Sequence, residues 1–292
     1  MKAKKETFES YFEGIYKNRW KALKEALLQA EHQIIRATFD APKAKSNDLI
    51  FNFPLYTKET KGIHFEKNET GLKQYYIMDP ASVIAASSLE IAPDDHVLDM
   101  CAAPGGKSLV LLERLKTGVL WCNEISTARR IKLKSVIQEY VPKQMREQVF
   151  IKGKDGIKYG MMFPDHFDKI LVDAPCSGEQ HLLHTPKELE KWSLKRTKRL
   201  SAAQYGLLCS ALLALKPEGQ ILYSTCSISP LENDEVIKRL LERKGGTVEL
   251  DLPDINIKGI ERTKFGYIML PDVCQAGPIY FSRLKKCTIA LS

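Results

Sequence analysis

The stretch DDHVLDMCAAPGGKSLVLL, residues 94–112, predicts a strand, a tight turn and a helix, around which the rest of the chain is organised. Val97, Leu98 and Met100 suit a buried strand, and the apolar residues from Leu109 onward recur at the spacing of a helix face. Between them, Gly105 and Gly106 free the backbone to approach a ligand. In a doubly wound sheet the turn after the first strand usually binds a nucleotide-like ligand, so we expect one at this loop.

The glycine-rich loop matches neither of two familiar nucleotide motifs. The dinucleotide fingerprint G-x-G-x-x-G is absent, and the phosphate loop G-x-x-x-x-G-K-[ST] fails at its first glycine, where Cys101 stands. Asp99 closes the strand and Pro104 stiffens the turn. The loop therefore suits a ligand with an adenosine moiety and no triphosphate, of which S-adenosylmethionine is the commonest. An ordinary turn between strand and helix is the alternative.

Length, charge and cysteine usage limit the class of protein. The 292 residues, 44% hydrophobic, are enough for one large domain with an appendage. A formal net charge of +8 favours a polyanionic partner, for which ribosomal or transfer RNA would fit, and we expect no DNA. The seven cysteines contain no CxxC pair, which indicates reduced thiols rather than disulfides or a metal site. Without a signal peptide or an apolar run of membrane length, we expect neither export nor membrane insertion but a cytoplasmic protein. We also expect a monomer.

The first part of the chain is predicted to be an appendage. At residues 8–28, aromatic and apolar side chains recur at helical spacing with basic residues between them, which predicts an amphipathic helix. We expect its aromatic stripe to pack against the main domain, while its basic face could contact RNA phosphates. From 39 to 71 the pattern breaks up, with one strand predicted at 49–53. Residues 1–72 are thus predicted as the appendage, and residues 73–292 as the main domain.

Successive predicted strands end in acidic residues. Asp99 ends the first strand, Glu124 ends VLWCNE, and Asp155 follows the strand at 148–152. Because parallel strands end at the same edge of a sheet, these acids should lie together, with Glu124 near a ribose and Asp155 near an adenine amino group. A solvated charge or a simple turn would explain any one of them alone. Acids after three successive strands are a more specific signal than any one of these acids alone.

Two cysteines are predicted at the same edge. The fourth strand runs into DAPCSG, which contains Asp173 and Cys176, and the fifth, GQILYSTCS, ends in Thr225 and Cys226. A buried cysteine is commonly a small hydrophobic residue, but these two end parallel strands where function concentrates. Between them the chain becomes helical and basic around Trp192, and a surface that contacts RNA phosphates is predicted there, with a solvated helix face as the alternative. Its residues are Lys191, Lys195, Arg196, Lys198 and Arg199.

Three segments, DMCAAPGGKS, DAPCSG and YSTCSISPLEN, resemble the successive motifs of the Nop/Sun (RsmB-related) family of RNA cytosine-5 methyltransferases, and GPIYFSRLKK resembles its closing strand. The resemblance covers residues 72 to 292 and implies an α/β fold with a doubly wound, Rossmann-like sheet. That sheet would be mostly parallel, with an antiparallel hairpin near its end. The aromatic helix at the start also resembles that of the member acting on mitochondrial ribosomal RNA.

The resemblance also implies roles for individual residues. Cys226 would be the nucleophile and Cys176 would assist release of the product. The residues implied to bind S-adenosylmethionine are Cys101, Ala102, Ala103, Pro104, Gly105, Gly106, Lys107, Glu124, Arg129, Asp155 and Asp173.

The chemistry of cytosine explains why a thiol is needed. Carbon 5 is too electron-poor to attack a methyl sulfonium until a thiolate adds to carbon 6. Asp173 could support protonation of the base, and Lys107 could hold the base or favour the thiolate. The target base must be unstacked to enter the site. A non-catalytic RNA-binding or ribosome-assembly factor is the alternative, and a P-loop nucleotidase is disfavoured by Cys101.

Overall fold

The structure is a computed structural model, and it describes residues 6–29, 33–39, 49–50, 53–57, 67–274 and 276–288. In chain order, the α-helices in these ranges are α1 (Phe8–Tyr16), α2 (Trp20–Leu27), α3 (Pro80–Ser87), α4 (Gly106–Leu112), α5 (Thr127–Tyr140), α6 (Lys143–Arg146), α7 (Tyr159–Met162), α8 (Glu179–His184), α9 (Pro186–Leu189), α10 (Leu194–Ala214) and α11 (Asp234–Lys244). The strands are β1 (Ile34–Ala37), β2 (Leu49–Ile50), β3 (Phe53–Thr57), β4 (Tyr75–Met78), β5 (His96–Asp99), β6 (Val119–Asn123), β7 (Val149–Lys152), β8 (Phe167–Asp173), β9 (Leu215–Thr225), β10 (Val248–Leu250), β11 (Ile260–Arg262), β12 (Tyr267–Met269) and β13 (Ile279–Lys286).

Nine strands form the main sheet, in the order β11-β12-β13-β9-β8-β5-β6-β7, with β10 paired to β13. The strands from β5 to β9 pair in parallel, whereas β13 runs antiparallel to β9 and to the hairpin strand β12. The predicted α/β fold, with a mostly parallel, doubly wound sheet and an antiparallel hairpin, is therefore confirmed. From β5 the chain proceeds outward to β6 and β7 and then returns to β8 on the other side, so the switch point lies between β5 and β8.

Helices cover both faces of this sheet. Neighbouring residues of β5 alternate between the faces: Val97 packs in the cluster that includes α3, α4 and α5, and Leu98 packs in the cluster that includes α10 and α11. Both side chains are fully buried. This two-sided burial explains the near-continuous apolar strands of the sequence.

The predicted single helix at residues 8–28 is wrong in one respect, because the structure has two helices. A 3-10 turn at Lys17–Arg19 separates α1 from α2, and Lys17 has a φ of 51°. The break brings both helices onto one core, where the rings of Phe12 and Trp20 stack with centroids 5.3 Å apart.

The aromatic stripe packs against the main domain, as predicted. Phe12 and Trp20 share a buried cluster with Leu182, Trp192 and Ile228. Trp192 is 6% exposed and meets Phe12 with ring centroids 6.3 Å apart, so it belongs to this core and not to the basic surface predicted around it.

The segment predicted as irregular contributes to a second, four-stranded sheet, in the order β2-β3-β1-β4. The predicted strand at 49–53 corresponds to β2 and the start of β3, while residues 51–52 lie outside the described residues. β4 follows the predicted boundary at 72 and pairs with β1 before it, and the boundary itself stays a prediction. In the described ranges, no helix is both long and apolar enough to cross a membrane.

Candidate active site

Three adjoining cavities open at the carboxyl ends of the parallel strands. The acidic cavity, about 270 Å³, is lined by Glu124, Arg129 and Asp155 among others. The loop cavity, about 200 Å³, is lined by residues 101–107 with Asp173 and Tyr76. The thiol cavity, about 190 Å³, contains Cys226 together with Asp79, Ser82, Lys107, Gly178, Gln180, His181 and residues 277–279.

Shared residues join the three cavities into one cleft. Cys101 lines both the acidic and the loop cavity, and Lys107 and Ser82 line both the loop and the thiol cavity. Every residue predicted to bind the cofactor therefore lies on the acidic or the loop cavity. The structure brings these residues together, and their roles stay predictions.

Local backbone geometry shapes the cofactor loop. Gly105 has a φ of +121°, a region that other residues rarely adopt, and a Cβ there would lie 3.0 Å from Val136. At Gly106 a Cβ would meet the ring of Tyr76 at 2.9 Å. The glycine at 106 therefore lets β4 of the small sheet come close, a contact that adds to the ligand approach predicted from the sequence.

Asp99 lies fully buried beneath the loop. Its Oδ2 accepts a hydrogen bond from the Ser108 hydroxyl at 2.7 Å, whereas its Oδ1 has no partner within the described part of the chain. Burial raises the pKa of Asp99 to about 7, and the bond from Ser108 only partly offsets this effect.

The acidic cavity has the chemistry that an adenosine moiety requires. Apolar walls from Met100, Ile157 and Leu207 could cover a base, and Glu124 and Asp155 provide carboxylates for hydroxyl and amino groups. The residues present thus fit S-adenosylmethionine.

Arg129 ties this cavity to the cofactor loop. Its Nη1 lies 3.3 Å from Glu124, and its Nη2 donates to the carbonyl of Ala103 at 2.6 Å. Glu124 also accepts from the N–H of Ser126 at 2.8 Å, and Asp155 accepts from that of Ile157 at 3.1 Å.

An ion pair connects the loop cavity to the thiol cavity. Lys107 Nζ donates to Asp173 Oδ2 at 2.9 Å, and the Ser224 hydroxyl donates to Asp173 Oδ1 at 2.7 Å. Desolvation alone would lower the pKa of Lys107, but the Asp173 carboxylate outweighs it and raises that pKa. Lys107 therefore stays a cation beside the sulfur of Cys226.

The two predicted cysteines lie against each other, with their Sγ atoms 3.0 Å apart. Cys226 is exposed and lines the thiol cavity, while Cys176 is partly buried behind it. The hydrogen bond with Cys226, reinforced by burial, raises the pKa of Cys176 well above its usual range. Cys176 therefore keeps its proton and can donate it to the other sulfur.

The residues predicted to contact RNA are elsewhere. Lys191, Lys195, Lys198 and Arg199 are exposed and Arg196 is half-buried, on α10 and the segment before it. This placement leaves their predicted contact with RNA untested.

Two residues of the cleft were missed by the sequence analysis. Asp79 caps α3, accepts from the N–H of Gly277 at 3.0 Å and lines the thiol cavity. The Asp-Pro pair signals a helix start, but not this second contact. Asn123 donates to the carbonyls of Met100 and Lys154 at 3.1 and 2.9 Å, so it fixes the ends of neighbouring strands. Its position just before Glu124 was the available signal.

Comparison with known proteins places these features in context. Residues 86–285 match the family model described as 16S rRNA methyltransferase RsmB/F. The chain is 37% identical over 233 residues to "tRNA (cytosine(34)-C(5))-methyltransferase, mitochondrial" of Danio rerio, covering 76% of this chain and 63% of that protein. It is 34% identical over 234 residues to "5-cytosine rRNA methyltransferase NSUN4" of Bos taurus, covering 75% and 61%. The chain thus spans somewhat less than two thirds of either relative.

A solved structure shows the same fold. NSun6 from Pyrococcus horikoshii with SFG superposes with a TM-score of 0.76 at 18% identity, covering 97% of this chain and 98% of that one.

Proposed function

Because the chain belongs to the RsmB/F family of rRNA methyltransferases, we propose that it transfers a methyl group from S-adenosylmethionine to carbon 5 of a cytosine in RNA. The proposal rests on the exposed Cys226 thiol. It lines the thiol cavity, and Lys107 of the cofactor loop lines both that cavity and the loop cavity. Covalent activation of cytosine needs such a nucleophile beside the cofactor. The family model is described for ribosomal RNA, which we propose as the substrate class, with transfer RNA as the second candidate.

The cofactor would lie across the acidic and loop cavities. Glu124 would accept hydrogen bonds from ribose hydroxyls, Asp155 would accept one from the adenine amino group, and residues 101–107 would border the rest. When bound, S-adenosylmethionine supplies an electrophilic methyl group. The ion pair of Lys107 with Asp173 would then lie between this ligand and the target base.

The target base would enter the thiol cavity. There the Cys226 thiolate would add to carbon 6, and the electron pair of the 5,6 double bond would make carbon 5 nucleophilic. The positive charge of Lys107 would favour the thiolate, and Asp173 would support protonation of N3. After methylation the carbon 5 proton passes to water, the double bond re-forms and the sulfur leaves carbon 6. The thiol of Cys176 would donate a hydrogen bond to that departing sulfur.

Methyl transfer from labelled S-adenosylmethionine tests the proposal directly. The RNA would be purified rRNA and, separately, tRNA from cells that lack this gene, followed by nucleoside analysis. We expect label in 5-methylcytosine of one class and none with Cys226→Ala. Label in another nucleoside, or equal labelling by Cys226→Ala, would contradict the assigned reaction.

The basic residues around α10 are proposed to contact RNA phosphates. Neutralising Lys198 and Arg199 should make the salt dependence of RNA affinity shallower by about 2 units at most, since each phosphate contact contributes roughly one. Filter binding across a salt series measures the slope. An unchanged slope would place the RNA surface elsewhere, for example on the basic face of α1 and α2.

The cytoplasm is the proposed location and a monomer the proposed state. One relative is named as mitochondrial, so the mitochondrion is the competing location. Cell fractionation would decide between the two locations, and light scattering would test the monomer.

A further inference from the structure

Two short segments carry the cysteines, and each contains a glutamate whose side chain accepts hydrogen bonds from the other segment. The first cysteine loop, residues 174–179, ends in Glu179, and the second, residues 226–233, contains Glu232. Gly178 has a φ of +64°, and this left-handed turn directs the chain at Glu179 back toward the second loop. The two loops are therefore connected by side chains as well as by the neighbouring strands β8 and β9.

Glu179 holds the second cysteine loop. Its Oε2 accepts from the N–H of Ile228 at 3.0 Å, and its Oε1 accepts from the hydroxyl of Ser227 at 3.1 Å. Ser227 directly follows Cys226, so these bonds fix the backbone next to the exposed thiol.

Glu232 holds the first cysteine loop in the same way. It accepts from the N–H of Ser177 at 3.0 Å and also from the hydroxyl of that residue. Gln204 of α10 donates to Glu232 at 2.8 Å and to the carbonyl of Pro175 at 2.9 Å. The residues on both sides of Cys176 are thereby fixed.

Stability alone does not explain this pair of acids. Both side chains are fully buried, and their hydrogen bonds come from uncharged donors throughout the described residues. Burial, and after it the negative charge of Glu232, raises the pKa of Glu179. Buried acids without a cation are costly, and well-packed apolar residues would usually be more stable there.

We propose that Glu179 and Glu232 form a reciprocal brace that sets the distance between the Cys176 and Cys226 thiols, acting as positioning residues for the covalent chemistry. The inference rests on the proposed function for its catalytic meaning, and on the hydrogen bonds alone for its geometry. What the brace requires at positions 179 and 232 is long acceptors and not negative charge, since all its donors are neutral.

The N-terminal helices reinforce the second loop from outside. Tyr16 donates its hydroxyl to the carbonyl of Ile228 at 2.6 Å, and the hydroxyls of Tyr11 and Ser229 lie 2.9 Å apart. Ile228 is thus held by Glu179 through its N–H and by Tyr16 through its carbonyl.

The rate of disulfide formation between the two thiols, under a mild oxidant such as copper phenanthroline, measures their approach without any methyl transfer. Intact-mass analysis of the full chain would follow it. We expect Glu179→Ala and Glu232→Ala to slow this rate about tenfold or more, because the sulfurs lose their fixed geometry. Glu179→Gln and Glu232→Gln keep one acceptor oxygen for the backbone N–H of Ile228 or Ser177, and their amide NH2 can donate to the neighbouring serine hydroxyl, which can also accept. These variants should stay within about twofold of the native chain. The matched control is Glu235→Gln, an exposed glutamate on α11.

Turnover separates positioning from acid–base chemistry. A positioning role lowers kcat in the alanine variants with the KM for S-adenosylmethionine unchanged, and the glutamine variants restore it. If the glutamine variants lose as much kcat as the alanine variants, the glutamates act through their protons and the brace is wrong.

Two controls keep the outcome decisive. Glu232→Asp keeps the charge but has a shorter side chain. We therefore expect it to form the disulfide more slowly than Glu232→Gln, and this comparison still tests the brace if the alanine variants do not fold. Equal disulfide rates in native, Asp and Gln chains would overturn the brace. If the native chain shows the expected disulfide pattern but no methyl transfer, the proposed function fails and the brace remains.

Discussion

The cofactor edge and the cysteine edge of the sheet are held by contacts of different range. At the cofactor edge, Ser108 bonds Asp99 nine residues away, and Glu124 bonds Ser126 two residues away. At the cysteine edge, Ser177 and Glu232 are separated by 55 residues, and Tyr11 and Ser229 by 218. The first edge thus combines contacts within single segments with others that span up to 66 residues, such as Lys107 with Asp173, whereas the supports of the second edge come from parts of the chain up to 218 residues apart.

The largest effect should come from the thiols themselves. Cys226→Ala should abolish methyl transfer and form no covalent complex, because carbon 5 is never activated. Cys176→Ala should still form the Cys226 adduct and methylate the base, then stall before release. A denaturing gel with RNA and S-adenosylmethionine would show a slow protein–RNA band for Cys176→Ala only. The opposite pattern would make Cys176 the nucleophile.

The next effect separates the edges through the N-terminal helices. Phe12→Ala removes a fully buried ring and should lower the free energy of unfolding by about 3–5 kcal/mol. In the folded fraction, methyl transfer should fall while S-adenosylmethionine affinity holds, because α1 contacts the second cysteine loop and not the acidic cavity. Urea unfolding measures the free energy, labelled methyl transfer measures the activity, and calorimetry measures the cofactor affinity. An equal loss of cofactor affinity would show that the edges are not independent.

Changes at the cofactor edge should leave the thiols undisturbed. Glu124→Ala and Asp155→Ala should each weaken S-adenosylmethionine binding by about 1–3 kcal/mol, as expected when a buried hydrogen-bond partner is lost. The rate of disulfide formation between Cys176 and Cys226 should stay that of the native chain. Calorimetry with unchanged affinity in both variants would remove these acids from the cofactor site.

The smallest effect is a pH dependence present at both edges. Burial raises the pKa of Asp99 from 3.8 to about 7, so its contribution to stability is full below 3.8 and is lost as the pH rises through about 7. Glu179, which faces Glu232, Cys176, Tyr11 and Tyr16, has its pKa raised from 4.5 to about 8, and its contribution is lost at correspondingly higher pH. As the pH rises, the melting temperature should fall less steeply in Asp99→Asn and in Glu179→Gln, each over the pH range in which the replaced acid titrates. A fall that neither variant changes would assign it to other groups.

The range of these contacts also explains what the sequence could predict. The strand, turn and helix at 94–112 follow from periodicity and glycines within one short stretch, and the acids after successive strands follow from the parallel topology. The brace could not be predicted, because nothing near Glu179 in the sequence points to Ile228. The break at Lys17 was missed because the helical pattern continues through it, and the core on which Phe12 and Trp20 then meet includes residues far away in the sequence.

The position of α1 and α2 has a consequence for synthesis. These helices are made well before some of their apolar partners, which include Trp192, Ile228 and Leu270. At a translation rate of about 5–20 residues per second, roughly 10–50 s separate Trp20 from Leu270. During that interval the surface that covers the aromatic stripe is incomplete, so a nascent chain presents part of the stripe to chaperones or to aggregation. The two helices therefore reach their final place only after these later partners have been made, and the second cysteine loop gains its outer support only then.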